Sequence, residues 1–73
     1  MQLQAGRRIA VLVNGERSET VVASLAELVA QLGFNDDQVA TARNGEFVPR
    51  QARAATRLAT GDRIEIVAPR QGG

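Results

Sequence analysis

Apolar and polar positions alternate in short blocks that predict strands, hairpins and one helix. Five consecutive apolar residues at positions 9–13 predict a buried strand. Asn14 and Gly15 follow directly and are typical of a tight hairpin, so the more polar residues 16–22 should return antiparallel. The apolar character of the first strand favours a central place in the sheet.

The clearest element is a helix, because its apolar residues recur at a spacing that places four side chains on one face, namely Leu25, Leu28, Val29 and Leu32. Ser24 and Glu27 form a capping-box pattern at its start. Gly33 stands where a helix end favours a left-handed residue. We therefore expect one amphipathic helix that covers one face of a sheet.

The second half of the chain predicts a further hairpin. Residues 39–43 and 46–48 have strand character and flank a second Asn-Gly pair, and Pro49 ends the second of these strands. Residues 50–58, rich in arginine and alanine, predict one loose helical turn or a structured loop.

A last strand follows a turn at Gly61 and Asp62, and its alternation places Ile64 and Ile66 toward the helix. We expect it to lie parallel to the first strand. The order of elements predicts an α+β roll with a mixed four- to five-stranded sheet and one main helix on one face. Residues 1–8 are then a loose lead-in, residues 9–67 the domain and residues 68–73 a flexible tail.

Composition excludes most side-chain chemistry. The 73 residues fit one small domain and include no Cys, His, Lys, Tyr or Trp, so thiolate and imidazole catalysis, zinc sites, disulfides and Schiff bases are excluded. We expect no catalytic residue, no cofactor-binding residue and no metal site. A net charge of +1 gives no reason to expect nucleic acid or a membrane surface, and no apolar run is long enough to span a bilayer. A cytoplasmic location is the default.

The tail is the most suggestive feature. Six residues beyond the last strand reach roughly 20 Å when extended, which is enough to enter a pocket of another protein. Pro69 lacks the N–H needed to continue the strand, and Gly72 and Gly73 have no side chain, so a terminal carboxylate can pass through a narrow channel. A merely loose terminus has the same composition, so that alternative stays open.

Three arginines in the segment before the last strand also allow a functional and a purely structural interpretation. Arg50, Arg53 and Arg57 are three and four residues apart, so a helical segment would place them on one face. Such a face is a possible partner surface for an acidic rim, and a simple solvated face is the alternative. Asp36 and Asp37 are best interpreted as a polar turn.

Four segments in a fixed order carry a family resemblance. They are residues 11–16, the helix from Ser24, residues 44–50 with the sequence Asn-Gly-Glu-Phe-Val-Pro-Arg, and residues 61–67 followed by Pro69, Gln71, Gly72 and Gly73. Together they resemble the ubiquitin-like β-grasp sulfur carriers, most closely the thiamine-biosynthesis type, the ThiS family. The resemblance covers residues 9–73. Such proteins often have an aromatic residue where this chain has Arg53.

This resemblance implies a chemistry for the tail. A partner adenylyltransferase of the ubiquitin-activating-like family would use ATP and magnesium to adenylate the carboxylate of Gly73. Sulfur from a donor, a cysteine desulfurase or similar enzyme, would then replace the adenylate and give a thiocarboxylate, which a thiazole synthase would receive. Gly72, Gln71, Arg70 and Pro69 would thread the partner active sites, and Arg70 could pair there with an acidic or phosphate group. The chain itself would be a protein co-substrate and not an enzyme.

Three other functions remain open at this point. The small subunit of molybdopterin synthase has the same fold and chemistry with a different acceptor, although its tail commonly lacks the Pro-x-Gln-Gly-Gly form seen here. A protein modifier would form an isopeptide bond through Gly73. A plain interaction module would never have its tail activated.

Overall fold

A computed structural model describes residues 7–68, so most of the predicted lead-in and of the predicted tail lies outside this range. The described residues form a mixed five-stranded sheet with one α-helix, which confirms the expected α+β roll. The elements along the chain are β1 (Ile9–Val13), β2 (Glu16–Thr20), α1 (Leu25–Gln31), a first 3₁₀ helix (Asp36–Gln38), β3 (Ala40–Arg43), β4 (Glu46–Val48), a second 3₁₀ helix (Arg50–Ala55) and β5 (Arg63–Val67).

The strands lie in the order β2-β1-β5-β3-β4. β1 pairs antiparallel with β2 and parallel with β5, which confirms the predicted pairing of the first and last strands. β5 pairs on its other side with β3, antiparallel. β1 therefore lies inside the sheet, between β2 and β5, as its apolar character favoured. The middle strand is β5, because the β3–β4 hairpin extends the sheet beyond it.

Both Asn-Gly pairs form the predicted hairpin turns. Asn14 and Asn44 have φ angles of 51° and 52°, and the glycines that follow have 87° and 86°. Two successive positive φ angles are the geometry of a type I′ turn, whose twist matches that of the paired strands.

Two strands are shorter than predicted. β2 ends at Thr20 instead of residue 22. At this strand end, the Thr20 hydroxyl accepts a hydrogen bond from the N–H of Val22 at 3.2 Å. This local bond turns the chain out of the ladder. β3 begins at Ala40 instead of residue 39, because Val39 closes the first 3₁₀ helix. The predicted loose turn within residues 50–58 is the second 3₁₀ helix.

The helix begins as predicted, with a capping box between Ser24 and Glu27, whose N–H donates to the Ser24 hydroxyl at 3.2 Å. It ends at Gln31, so the prediction that Leu32 belongs to the buried face is wrong. Leu32 is the C-terminal cap and is 40% exposed, because Gly33 adopts a φ of 86° and turns the chain. No helix among residues 7–68 has the length and apolar character needed to cross a bilayer.

The core lies between α1 and the inner face of the sheet. Its buried cluster consists of Leu25, Leu28, Val29, Val48, Ile64 and Ile66. Ile64 and Ile66 face the helix as predicted. Phe34 and Leu58 pack against the edge of the cluster. Burying one such aliphatic side chain stabilises the fold by about 1.5–3 kcal/mol.

Candidate functional site

The predicted tail begins where β5 ends, at Val67. Its last five residues lie outside the described part of the chain, namely Pro69, Arg70, Gln71, Gly72 and Gly73. The structure therefore describes the surface from which the tail starts. We call this surface the tail base and define it by Asn14, Ala40, Ile66 and Val67.

Within the tail base, Ala40 and Asn14 flank the end of β5 on its two sides. Ala40, the first residue of β3, pairs with Val67. On the other side, the Asn14 side chain bonds the main chain of Ile66 in both directions. Its amide donates to the Ile66 carbonyl at 3.1 Å, and its oxygen accepts from the Ile66 N–H at 2.9 Å. The last strand is thus held through Val67 on the β3 side and as far as Ile66 on the β1 side.

The outer face of the sheet is apolar next to the tail base. Side chains alternate along a strand, so Val67 points away from the helix and is 61% exposed. Phe47, in the edge strand β4, is 68% exposed. Ala42 pairs with Phe47, and Ala40 pairs with Val67, so the two alanines of β3 lie between the two large side chains. We call these four residues the outer patch.

Arg53 does not belong to a partner surface, and that prediction is wrong for this residue. The residue is 2% exposed, and its side chain points inward from the second 3₁₀ helix. The guanidinium donates to the Thr41 hydroxyl at 3.0 Å, to the Val39 carbonyl at 2.7 Å, and to the carbonyl and carboxylate of Asp36 at 2.9 and 2.7 Å. A buried arginine is tolerated when its donors are paired in this way.

Arg50 is on the surface but is engaged within the chain. It lies 2.7 Å from carboxylate oxygens of both Asp36 and Asp37. Hydrogen bonds from Arg50 and then from Arg53 lower the pKa of Asp36 below its ordinary value. The two aspartates thus form the predicted polar segment, and their partners are arginines.

Arg57 is exposed at the far end of the sheet. It lines an open cleft of about 730 Å³ together with Arg7, Arg8 and Ile9. This cleft is at the start of β1, whereas the tail base is beyond the end of β1, because β5 runs parallel to it. The three predicted arginines therefore do not form one surface beside the tail.

A second buried ionised group lies at the start of β5. Asp62 is 7% exposed and accepts from the Ala59 N–H at 2.9 Å, from Asn44 at 3.0 Å and from Arg43 at 3.2 Å. Burial alone would raise the pKa of Asp62, but the hydrogen bonds and the Arg43 charge together hold it below the ordinary value. The Asp62 carboxylate stabilises the turn before β5, and its hydrogen bonds within the chain indicate a structural role.

Within residues 7–68, no group of three or more histidine, cysteine, aspartate or glutamate side chains could hold a metal ion. The described surface instead presents an apolar patch beside the start of the tail. A model of the ThiS family matches residues 11–73, which is most of the chain.

The chain belongs to the ThiS family. Its fold is similar to that of the thiamine biosynthesis protein ThiS from Geobacter metallireducens, with 30% sequence identity. The crystal structure of that protein superimposes with a TM-score of 0.74 over 89% of this chain and 100% of that chain. Its solution structure gives a TM-score of 0.75 over 89% of this chain and 88% of that chain. The ubiquitin-like β-grasp fold expected from the resemblance is confirmed.

A thiazole synthase of Paramagnetospirillum magneticum is 36% identical over 64 residues. The match covers 86% of this chain but only 20% of that protein, so the chain spans about a fifth of the length of this relative. That thiazole synthase therefore contains a segment similar to this chain. The family match and the two solved structures of a ThiS protein therefore agree with each other.

Our sequence interpretation missed Asn14, Phe47 and Val67 as residues of interest around the tail. The alternation in β4 carried a signal for Phe47, because an inward Val48 requires its neighbour to face outward. No comparable signal existed for Asn14, whose contacts with Ile66 join residues 52 positions apart.

Proposed function

We propose that this chain carries sulfur for thiazole formation in thiamine synthesis as a thiocarboxylate on Gly73. The observation that carries the proposal is the ThiS family match, which extends through Gly73 and coincides with a β-grasp fold. The composition supports it as well, because a chain without cysteine cannot hold sulfur as a side-chain persulfide. The chain then acts as a protein co-substrate.

The chemistry follows from the weakness of a carboxylate as an electrophile. The Gly73 carboxylate attacks the α-phosphate of ATP, bound with magnesium by a partner adenylyltransferase, and pyrophosphate leaves. The resulting acyl adenylate has AMP as a good leaving group. The persulfide sulfur of a cysteine desulfurase or similar donor attacks the acyl carbon and releases AMP, which leaves an acyl disulfide. A thiol, such as the free cysteine of the reaction, reduces its S–S bond and is itself oxidised to a disulfide. The Gly73 thiocarboxylate is thereby released, and a thiazole synthase accepts its sulfur. Gly72 has no side chain to obstruct this passage.

The outer patch is the surface we assign to the partners of this reaction. Large exposed apolar side chains grouped on one face are typical of interaction sites. Phe47 and Val67 are such side chains, and Val67 directly precedes the residue at which the tail begins. A partner that binds this face therefore also receives the tail. Pro69, Arg70, Gln71 and Gly72 would then thread its active site.

The deciding experiment is an intact-mass measurement. The purified protein is incubated with ATP, magnesium, a ThiS-type adenylyltransferase and a cysteine desulfurase with cysteine. We expect the mass to rise by the difference between sulfur and oxygen. Deletion of Gly73 should abolish the change and leave the thermal unfolding temperature unaltered. Failure of the folded wild-type protein with such partners would contradict the proposal and favour a plain interaction module.

Two further outcomes separate the alternatives. Transfer of sulfur to a molybdopterin precursor but not to a thiazole synthase product would assign the protein to the molybdopterin branch. A Gly-Gly remnant on lysines of other proteins would indicate a protein modifier.

The partner surface can be tested with a pair of matched variants. Val67 and Val21 are exposed to a similar extent, 61% and 51%. Val21 directly follows β2, whose last residue pairs with the first residue of β1, so it lies at the end of the sheet away from the tail. Val67→Ser should weaken binding to the adenylyltransferase about tenfold, since burial of a valine contributes about 1.5 kcal/mol. Val21→Ser should leave binding unchanged. Equal effects in both variants would show that the outer patch is not the contact.

A further inference from the structure

We propose that Asn14 is a positioning residue, whose side chain fixes the end of β5 and thereby sets where the tail leaves the domain. The functional part of this inference rests on the proposed function, in which the tail carries the reacting group. Its structural basis is independent of that function. It consists of the two hydrogen bonds between the Asn14 carboxamide and the main chain of Ile66.

The carboxamide takes the place of a missing strand. β1 lies along β5 through Leu12 and Val13, and the Asn14 N–H still donates to the Ile64 carbonyl at 2.8 Å. The chain then turns back at Gly15, so no further main chain of β1 is available. The Asn14 side chain offers one donor and one acceptor, as a peptide group does, and it pairs with both main-chain groups of Ile66.

Without this side chain, the end of β5 would be paired on one edge alone. Successive residues of a strand direct their main-chain groups to opposite neighbours. The Ile64 carbonyl bonds toward Asn14, and the Arg63 carbonyl bonds toward Asn44. Ile66 therefore points toward the β1 side, where β1 has already ended. The Asn14 side chain therefore supplies the hydrogen-bond partner of Ile66, two residues before Ala68.

Asn44 provides a matched control within the same chain. It occupies the same position of the second hairpin, with a φ of 52° against 51° for Asn14. Its side chain also makes two hydrogen bonds near β5, to the Asp62 carboxylate at 3.0 Å and from the Arg63 N–H at 2.8 Å. Those bonds hold the start of β5, which is the end away from the tail.

The experiment compares Asn14→Gly with Asn44→Gly. Glycine accepts the positive φ, so each variant keeps its turn and loses two side-chain hydrogen bonds. Amide hydrogen exchange by NMR should speed up about tenfold at Ile66 in Asn14→Gly, and at Arg63 in Asn44→Gly. Unchanged exchange at Ile66 overturns the inference, whatever the activity. Should Asn14→Gly not fold, Asn14→Asp removes only the donor to the Ile66 carbonyl.

The functional readout is steady-state kinetics with the adenylyltransferase that loads the wild-type protein. Asn14→Gly should raise KM for this protein about threefold to tenfold with kcat unchanged, because the partner must order the strand end on binding. Asn44→Gly should leave KM unchanged. Equal rises in both variants, or no rise in Asn14→Gly, overturn the inference. If the wild type is not loaded at all, the proposed function fails, and exchange at Ile66 alone decides whether Asn14 holds the strand end.

Discussion

Two regions of the molecule each bury one charged side chain, and they do so with opposite signs. The arginine cluster consists of Arg53 and its partners Asp36, Val39 and Thr41. The aspartate cluster consists of Asp62 and its partners Arg43, Asn44 and Ala59. Both buried groups are almost fully removed from solvent, with 2% and 7% of Arg53 and Asp62 exposed.

The two clusters differ in what they connect. Arg53 reaches from the second 3₁₀ helix to the first and to β3, and its partners lie 12 to 17 positions away. Asp62 bonds Ala59, three positions away, and the β3–β4 hairpin. Arg43 and Asn44 lie 19 and 18 positions from Asp62, but they belong to the β3–β4 hairpin, which already pairs with β5. The long Arg53 side chain with its five donors thus joins segments that share no strand ladder, whereas the Asp62 carboxylate reinforces segments that are already paired. Their removal should therefore have unequal effects.

The largest effect is expected for Arg53→Ala. The change leaves the Val39 carbonyl without its Arg53 donor, and the Thr41 hydroxyl keeps only its bond to the Val48 carbonyl. Asp36 also loses the buried guanidinium, so the free energy of unfolding should fall by about 3 kcal/mol. Urea denaturation followed by circular dichroism measures it. Arg53→Lys, which keeps the charge without the planar fork, should lie between this variant and the wild type. A loss below that of Asp62→Ala would invert the comparison.

Asp62→Ala should cost less, about 1–2 kcal/mol, because its N–H and amide partners lie closer to solvent and can recover water. The same urea titration provides the value. Asp62→Asn is the matched control, since it keeps one oxygen as acceptor, and it should retain part of the stability. A loss in Asp62→Ala as large as that of Arg53→Ala would show that the reach of the side chain does not matter.

Acid should weaken both clusters together. The folded protein lowers the pKa of Asp36 and of Asp62 below the ordinary value of 3.8, so folding favours their charged forms. Their contribution is complete above the unfolded pKa and is lost as the pH falls through the folded pKa. We expect urea midpoints to drop between pH 5 and pH 2, and to drop less in an Asp36→Asn, Asp62→Asn double variant. An equal drop in both proteins would assign acid sensitivity to other carboxylates.

The smallest effect is expected for Arg50→Ala. Its ion pairs with Asp36 and Asp37 are short but lie on the surface, with 60% of the Arg50 side chain exposed. Such pairs contribute little because water screens them. The thermal unfolding temperature should therefore stay within experimental error of the wild type. A clear decrease would show that Arg50 supports the arginine cluster through Asp36.

Local patterns in the sequence determined the elements of this fold with few errors. The two Asn-Gly pairs, the capping box of Ser24 and Glu27, and Gly33 act within a few residues, so their geometry does not depend on the rest of the molecule. The inward direction of Ile64 and Ile66 follows from strand alternation alone. The errors, at Leu32 and at the ends of β2 and β3, lie at element ends, where one local hydrogen bond changes the assignment.

Tertiary structure decided which polar residues are available for contact and that β5 is the middle strand of the sheet. The sequence spacing predicted Arg50, Arg53 and Arg57 on one face. In the structure, the 3₁₀ geometry and hydrogen bonds to distant residues direct the Arg53 side chain into the protein interior. Likewise, the role of Asn14 at the tail base depends on Ile66, 52 positions later. The sequence therefore determined the elements through short-range geometry. Burial and pairing of charged and amide groups depend on contacts between distant segments, and they exist only once the chain has folded.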